Sequence, residues 1–167
     1  MNCYILNVSN LNPISLKVIS KFEKICNIKL TNSEKVLLVN TGITEQILGM
    51  LLNSTTHINV EFQLETNTVI KRRVQIISDI NNQILVEANS KIYKKNIPSE
   101  IIDGIRSKQT GIGMLMIKYK LDIFKKIIKI GYNPSKSTIF RIYKIIHNKQ
   151  TICDINEVFV SRFNEIK

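Results

Sequence analysis

The chain has 167 residues, the length of one ordinary domain, and carries 24 Lys and Arg against 13 Asp and Glu, a net charge of +11. It is 44% hydrophobic and 22% charged, which is too apolar for a disordered basic tail. We therefore expect a single domain over residues 1–167. The three cysteines, Cys3, Cys26 and Cys153, form no CxxC or Cys/His cluster, which argues against a zinc site and a disulfide framework.

The sequence offers no membrane or targeting signal. It has no run of about 18 uncharged apolar residues, and its first residues, MNCYILNVSN, resemble neither a signal peptide nor a transit peptide. We expect the protein to work in the compartment where it is made. The abundant Ile, Lys and Asn have AT-rich codons, so the predicted location is the plastid stroma if the gene is plastid-encoded and the cytoplasm otherwise. The same codon bias explains part of the positive charge.

The first half of the chain predicts two helices and then three strands. Apolar residues at helical spacing indicate a helix over about Leu16–Ile28 and another from Thr41 or Thr44 to about Leu52. Alternation of apolar and polar residues then predicts an antiparallel meander. Its strands cover about His57–Glu65, Val69–Ile77 and Ile84–Ile92.

The second half predicts two short helices and three more strands. Pro98 precedes a helix over Ser99–Arg106, and a glycine-containing turn leads into another at Met114–Lys118. The remaining segments are rich in β-branched residues and predict strands over about Phe124–Gly131, Ile139–Ile146 and Ile152–Val160. Together these elements predict an α+β fold, an antiparallel sheet of about six strands with flanking helices on one face and an internal ligand pocket.

Two charged residues fall on the apolar faces of predicted strands. Arg72 shares its face with aliphatic residues, whereas Arg73 points to solvent, and a bulge before Val74 would exchange the two. Glu157 shares its face with Ile155 and other apolar residues near the end of the chain. Burying one unpaired charge is very costly.

These two charges have more than one interpretation. One interpretation is a structural Arg72–Glu157 ion pair, and another is a strand register that is wrong by one residue. The third is that the two residues line an internal polar pocket. In a pocket, Arg72 can hold a carboxylate in a bidentate fork. An apolar wall would raise the pKa of Glu157, leaving it protonated as an acid or hydrogen-bond donor. Elsewhere, the run from Lys125 to Lys129 is interpreted as a solvated strand face, and His57 and His147 as solvated.

Four segments of the sequence resemble the chorismate pyruvate-lyase family, in its plastid-encoded and microbial branch. The resemblance covers about Ser33–Phe159. Its segments, in family order, are the loop Leu37–Thr44, the arginine-containing strand Lys71–Ile76, the turn Thr110–Gly113 and the closing Asn156–Phe159. The turn departs from the family pattern Thr-Pro-Leu-Gly, because Gly111 stands in place of proline.

The resemblance implies a lyase without cofactor or metal that eliminates pyruvate from chorismate and leaves 4-hydroxybenzoate. Arg72 would bind the ring carboxylate with help from the backbone N–H groups of Ile43 and Ile112. Glu157 would meet the 4-position oxygen and act as acid or hydrogen-bond donor at the departing ether oxygen. The implied partners are chorismate and 4-hydroxybenzoate, with no nucleic acid or membrane, and we expect a monomer or weak homodimer.

Two other functions remain open from the sequence. The same fold serves as the ligand-binding domain of some bacterial transcription regulators, so the chain could be a non-catalytic sensor of small aromatic acids. The net charge alone also suggests a nucleic-acid-binding module. The basic residues are scattered, however, and no Arg/aromatic motif accompanies them.

Overall fold

The fold is one antiparallel sheet with helices, seen in a computed structural model that describes residues 3–11 and 13–160. Seven strands form the sheet in the spatial order β1-β5-β6-β7-β4-β3-β2, with β7 at its centre. The strands are β1 Tyr4–Asn7, β2 Thr56–Glu65, β3 Val69–Ser78, β4 Ile84–Tyr93, β5 Phe124–Asn133, β6 Thr138–His147 and β7 Gln150–Phe159. The predicted α+β class and antiparallel sheet are therefore confirmed.

The sheet has seven strands rather than the expected six, because β1 was missed. This strand has only four residues and pairs with β5 at the edge of the sheet. A four-residue segment is too short to show a clear alternation, so the sequence pattern gave no signal for it.

Within residues 3–11 and 13–160, five α-helices accompany the sheet, with one 3-10 turn at Lys94–Asn96. The helix α2 was not predicted, and the segment from Leu37 to Val39 lies in it rather than in a loop. Its start is fixed by a capping box in which Thr31 and Glu34 exchange hydrogen bonds. The helices are α1 Leu16–Cys26, α2 Asn32–Val39, α3 Thr44–Leu52, α4 Ser99–Arg106 and α5 Ile112–Lys118.

One face of the sheet packs against the helical layer and carries the core. The alternation in β6 shows this, because Ile139, Arg141, Tyr143 and Ile145 are buried while the residues between them are partly exposed. Side chains on this face reach α2, α3 and the loop before α5. None of the described helices is long and apolar enough to cross a membrane.

The register of β3 decides which arginine points inward. Arg72 pairs with Ser90, Arg73 with Asn89 and Val74 with Ala88, with no break between them. Arg72 is buried and Arg73 is exposed. The bulge that would have exchanged the two arginines is absent from this stretch of β3, and the predicted inward position of Arg72 is confirmed.

Candidate functional site

A pocket opens between the sheet and the starts of α3 and α5. The space between its lining atoms, mouth included, is about 570 Å³. Both Arg72 and Glu157 line it, as the pocket interpretation of the sequence required. The apolar side chains that the sheet contributes to its lining come from β2, β3, β4, β6 and β7.

Arg72 lines this pocket and has two buried hydrogen-bond donors without a partner. Its side chain is buried, with 4% of the residue exposed, and Nη1 donates to the carbonyl oxygen of Thr110 at 3.0 Å. Its Nε and Nη2 atoms are buried and have no hydrogen-bond partner. These two N–H groups lie on one edge of the planar guanidinium. This edge can donate two parallel hydrogen bonds to the oxygens of a carboxylate.

Glu157 is fully engaged by neighbouring donors. Its Oε1 accepts from Thr44 Oγ1 at 2.9 Å and from the Tyr143 hydroxyl at 2.7 Å. Its Oε2 accepts from Arg141 Nε at 2.8 Å and lies 2.7 Å from Arg141 Nη2. An ionised carboxylate offers about four acceptor positions, so the set is complete without a ligand.

The partner of Glu157 is Arg141, not Arg72. The side chain of Arg141 has no exposed surface, and its Nη1 donates to the carbonyl oxygens of Leu37 and Asn40, both at 2.6 Å. The proposed Arg72–Glu157 ion pair is therefore wrong. The pair that does form ties the end of α2 to the central strands β6 and β7.

The expected raised pKa of Glu157 is also wrong. Burial by itself would raise this pKa, but Arg141, then Lys125 and the Tyr143 hydroxyl, stabilise the carboxylate and lower the pKa below its ordinary value. The expectation rested on an apolar wall around Glu157, and the sequence reasoning had not placed Arg141 there.

Lys125 is buried in the same pocket rather than on a solvated face, which corrects the sequence interpretation of the lysine run. Only 7% of the residue is exposed. A bulge in β5 between Ile127 and Lys129 explains the error, because strict alternation would place Lys125 and Lys129 on one face. The Lys125 ammonium donates to the carbonyl oxygen of Gly42 and lies 4.9 Å from the centre of the Tyr143 ring.

Ile43 and Ile112 occupy the helix starts that border the pocket. Ile43 precedes the first residue of α3, and Ile112 is the first residue of α5. The first N–H groups of a helix have no partner within it, so the backbone at both positions is suited to an anion. Both residues line the pocket that contains Arg72.

Alternation in β6 could have located Arg141. Within the predicted strand it shares a face with Ile139, Tyr143 and Ile145, the same signal that singled out Arg72 and Glu157. Glu45, a further pocket residue, carried no such signal. It follows Thr44 in the first turn of α3, where an acidic residue is common for helix stability alone.

Comparison with protein families matches residues 30–167 to the family described as "Chorismate pyruvate-lyase Rv2949c-like". The chain belongs to this family. The matched range spans α2 to β7 and contains every pocket residue described above, whereas β1 and α1 precede it. Comparison with curated proteins gave no match.

In this member of the chorismate pyruvate-lyase family, the carboxylate of Glu45 occupies the space beside Gly111. A Cβ atom at Gly111 would lie 2.5 Å from Glu45 Oε2, so a larger residue there would require the carboxylate to move. Burial raises the pKa of Glu45, and the nearby charge of Arg72 opposes that rise. The glycine thus permits an acidic side chain in the pocket near Arg72. Among the described residues, no group of three or more His, Cys, Asp and Glu side chains is placed to hold a metal ion.

Proposed function

We propose that the protein is a chorismate lyase that eliminates pyruvate from chorismate and leaves 4-hydroxybenzoate. The observation that carries this proposal is the free Nε and Nη2 edge of Arg72, buried in the pocket. A buried guanidinium with two unpartnered donors is costly unless a ligand supplies the acceptors. A carboxylate is the group that matches this edge in geometry and charge.

The apolar walls suit the ring of such a ligand. Val74, Ala88 and Ile155 lie on the inward face of neighbouring strands beside Arg72, and Ile58 and Ile76 extend the surface. With the carboxylate on Arg72, the N–H groups of Ile43 and Ile112 would complete its hydrogen bonds. The reaction itself gains ring aromaticity, so the protein's task is to exclude water, orient the ether and handle one proton.

The proposed role of Glu157 changes with its surroundings. An ionised carboxylate that already accepts three hydrogen bonds and lies 2.7 Å from Arg141 Nη2 has no proton to give to an ether oxygen. We keep Glu157 near the 4-position oxygen as a hydrogen-bond acceptor. That contact requires the hydroxyl of Thr44 or Tyr143 to turn from Glu157 towards the ligand.

The direct test is turnover of chorismate by the purified protein. We expect 4-hydroxybenzoate and pyruvate in equal amounts, measured by chromatography and a coupled pyruvate assay. Binding of 4-hydroxybenzoate without turnover would instead support a non-catalytic aromatic-acid sensor, because the same Arg72 edge serves both functions. Salt-dependent RNA binding with no affinity for aromatic acids would contradict the proposal and favour the nucleic-acid-binding alternative.

A further inference from the structure

Lys125 is a buried cation whose position neither the strand pattern nor the fold explains. Its side chain lies on the inward face of β5 and lines the pocket. Of its three N–H donors, one is used by the Gly42 carbonyl oxygen, the one acceptor that the described residues supply. Two donors are therefore available to a ligand.

Lys125 and Arg72 approach the pocket from opposite walls. Arg72 is on β3 and Lys125 on β5, and the strands β4, β7 and β6 lie between them. Chorismate carries its ring carboxylate at one end and its enolpyruvyl ether, with a second carboxylate, away from it. If Arg72 holds the ring carboxylate, Lys125 is the cation on the opposite wall, where the enolpyruvyl ether of the ligand would lie.

The other polar groups of the pocket are poorly suited to give up a proton. Burial raises the pKa of the Tyr143 hydroxyl well above its ordinary value, the aliphatic hydroxyl of Thr44 is a weaker acid still, and Glu157 is ionised. Arg72 does not release its proton at ordinary pH. Glu45 lies against Gly111, and the charge that acts on it most strongly is Arg72, ahead of Glu157 and Lys125.

We propose that Lys125 is the catalytic acid of this site, donating a proton to the ether oxygen of bound chorismate; this rests on the lyase function proposed above. As the bond from ring carbon 3 to oxygen breaks, its electron pair goes to that oxygen, which receives the Lys125 proton and leaves as enolpyruvate. The C4–H electron pair forms the new ring double bond. The C4 proton passes to the now neutral Lys125 amine, which restores the ammonium, and the released enol becomes pyruvate in water.

The electrostatics around Lys125 agree with this role. Burial lowers its pKa to about 8, and the negative charge of Glu157 opposes the decrease more than any other group. Arg141 favours the neutral amine, whereas Glu45 on α3 and Cys153 on β7 favour the ammonium. An acid whose pKa lies close to the working pH is protonated yet releases its proton readily.

The test compares Lys125→Arg and Lys125→Met with the unmodified protein. Arginine keeps the charge but does not give up its proton, so we expect kcat to fall at least about 100-fold while KM changes less than about threefold. In the unmodified protein, kcat/KM should fall as pH rises through about 8, because Lys125 of the free enzyme loses its proton there. That alkaline decrease should be absent from any residual activity of Lys125→Arg.

Matched controls separate catalysis from folding. Lys126→Met changes the next residue of β5, which lies on the other face and is only partly buried, and should leave kcat unchanged. For Lys125→Ala, added methylamine should raise kcat at least about tenfold above its value without the amine. A purely structural role of Lys125 would not allow this rescue. Full activity and an unchanged pH profile in Lys125→Arg would overturn this inference alone. No turnover by the unmodified protein would overturn the proposed function and this inference together.

Discussion

Replacing Arg72 by glutamine is expected to lower kcat/KM for chorismate by about 30- to 4,000-fold. The substitution removes the two free donors and the charge that the proposed carboxylate needs, and losing one partner of a buried, hydrogen-bonded charge pair costs about 2–5 kcal/mol. Steady-state kinetics with chorismate measures the effect. Inhibition by 4-hydroxybenzoate should weaken by a similar factor, because the same contact holds the product.

Arg73→Gln is the matched control for this experiment. Arg73 follows Arg72 directly on β3 but is exposed on the opposite face, where its Nε donates to Asn89 Oδ1 at 3.2 Å. We expect its kcat/KM within about twofold of the unmodified protein, since surface substitutions usually have small effects. Equal losses in the two variants would show that net charge, rather than the pocket contact, governs the activity.

Arg72→Gln should not destabilise the folded protein strongly. In the ligand-free state Arg72 is a desolvated cation with two unmade hydrogen bonds, and burial lowers its pKa for the same reason. Under the proposed function, ligand binding rather than stability is the reason for its charge. A large drop in the melting temperature of this variant would contradict that interpretation.

Unlike Arg72→Gln, Arg141→Leu is expected to destabilise the folded protein, with a loss of about 3–5 kcal/mol in the free energy of unfolding. The substitution leaves the Glu157 carboxylate buried without its cation, and removes the donors to the Leu37 and Asn40 carbonyl oxygens. Urea denaturation followed by circular dichroism measures the change. The side chains of Arg141 and Glu157 are almost completely buried, so water cannot solvate the carboxylate that the substitution leaves unpaired. The expected cost is therefore large.

Two further variants test the cause of that loss. Lys144→Leu breaks another ion pair between the same strands, β6 and β7. Lys144 and Asp154 lie 3.6 Å apart and are partly exposed, so the cost should be below about 1 kcal/mol. The double variant Arg141→Leu/Glu157→Leu should recover part of the stability, because no buried charge is then left unpaired. If the double variant were no more stable than Arg141→Leu, the unpaired carboxylate would not be the cause.

The sheet was predictable because β2 to β4 alternate clearly and β5 to β7 are rich in β-branched residues. The meander from β2 to β4 and the strands β5 to β7 have ten residues each, long enough for a period of two to show. The same alternation placed Arg72 and Glu157 on the inward face, and both line one pocket. Two elements were missed: β1 has only four residues, too few to show a period, and the apolar residues of α2 are the consecutive Val36–Val39, which show no helical spacing.

The contacts within the site were less predictable than the faces of the strands. Alternation indicates which way a side chain points, not which partner it meets across several strands. One interpretation therefore paired Glu157 with Arg72, and none considered Arg141. Lys125 was assigned to the wrong face because a bulge in β5 breaks the alternation of its residues. No residue type at that point of the sequence indicates the bulge. The pKa of Glu157 followed from these partners and could not be predicted without them.

The most direct test of the central claim compares binding of 4-hydroxybenzoate with that of its neutral amide, 4-hydroxybenzamide. The two ligands differ only in the group that Arg72 is proposed to hold, and calorimetry gives both dissociation constants. We expect the unmodified protein to bind the carboxylate at least about 30-fold more tightly, and this preference to disappear in Arg72→Gln. The same preference in both proteins would show that Arg72 does not bind the carboxylate, and would contradict the account.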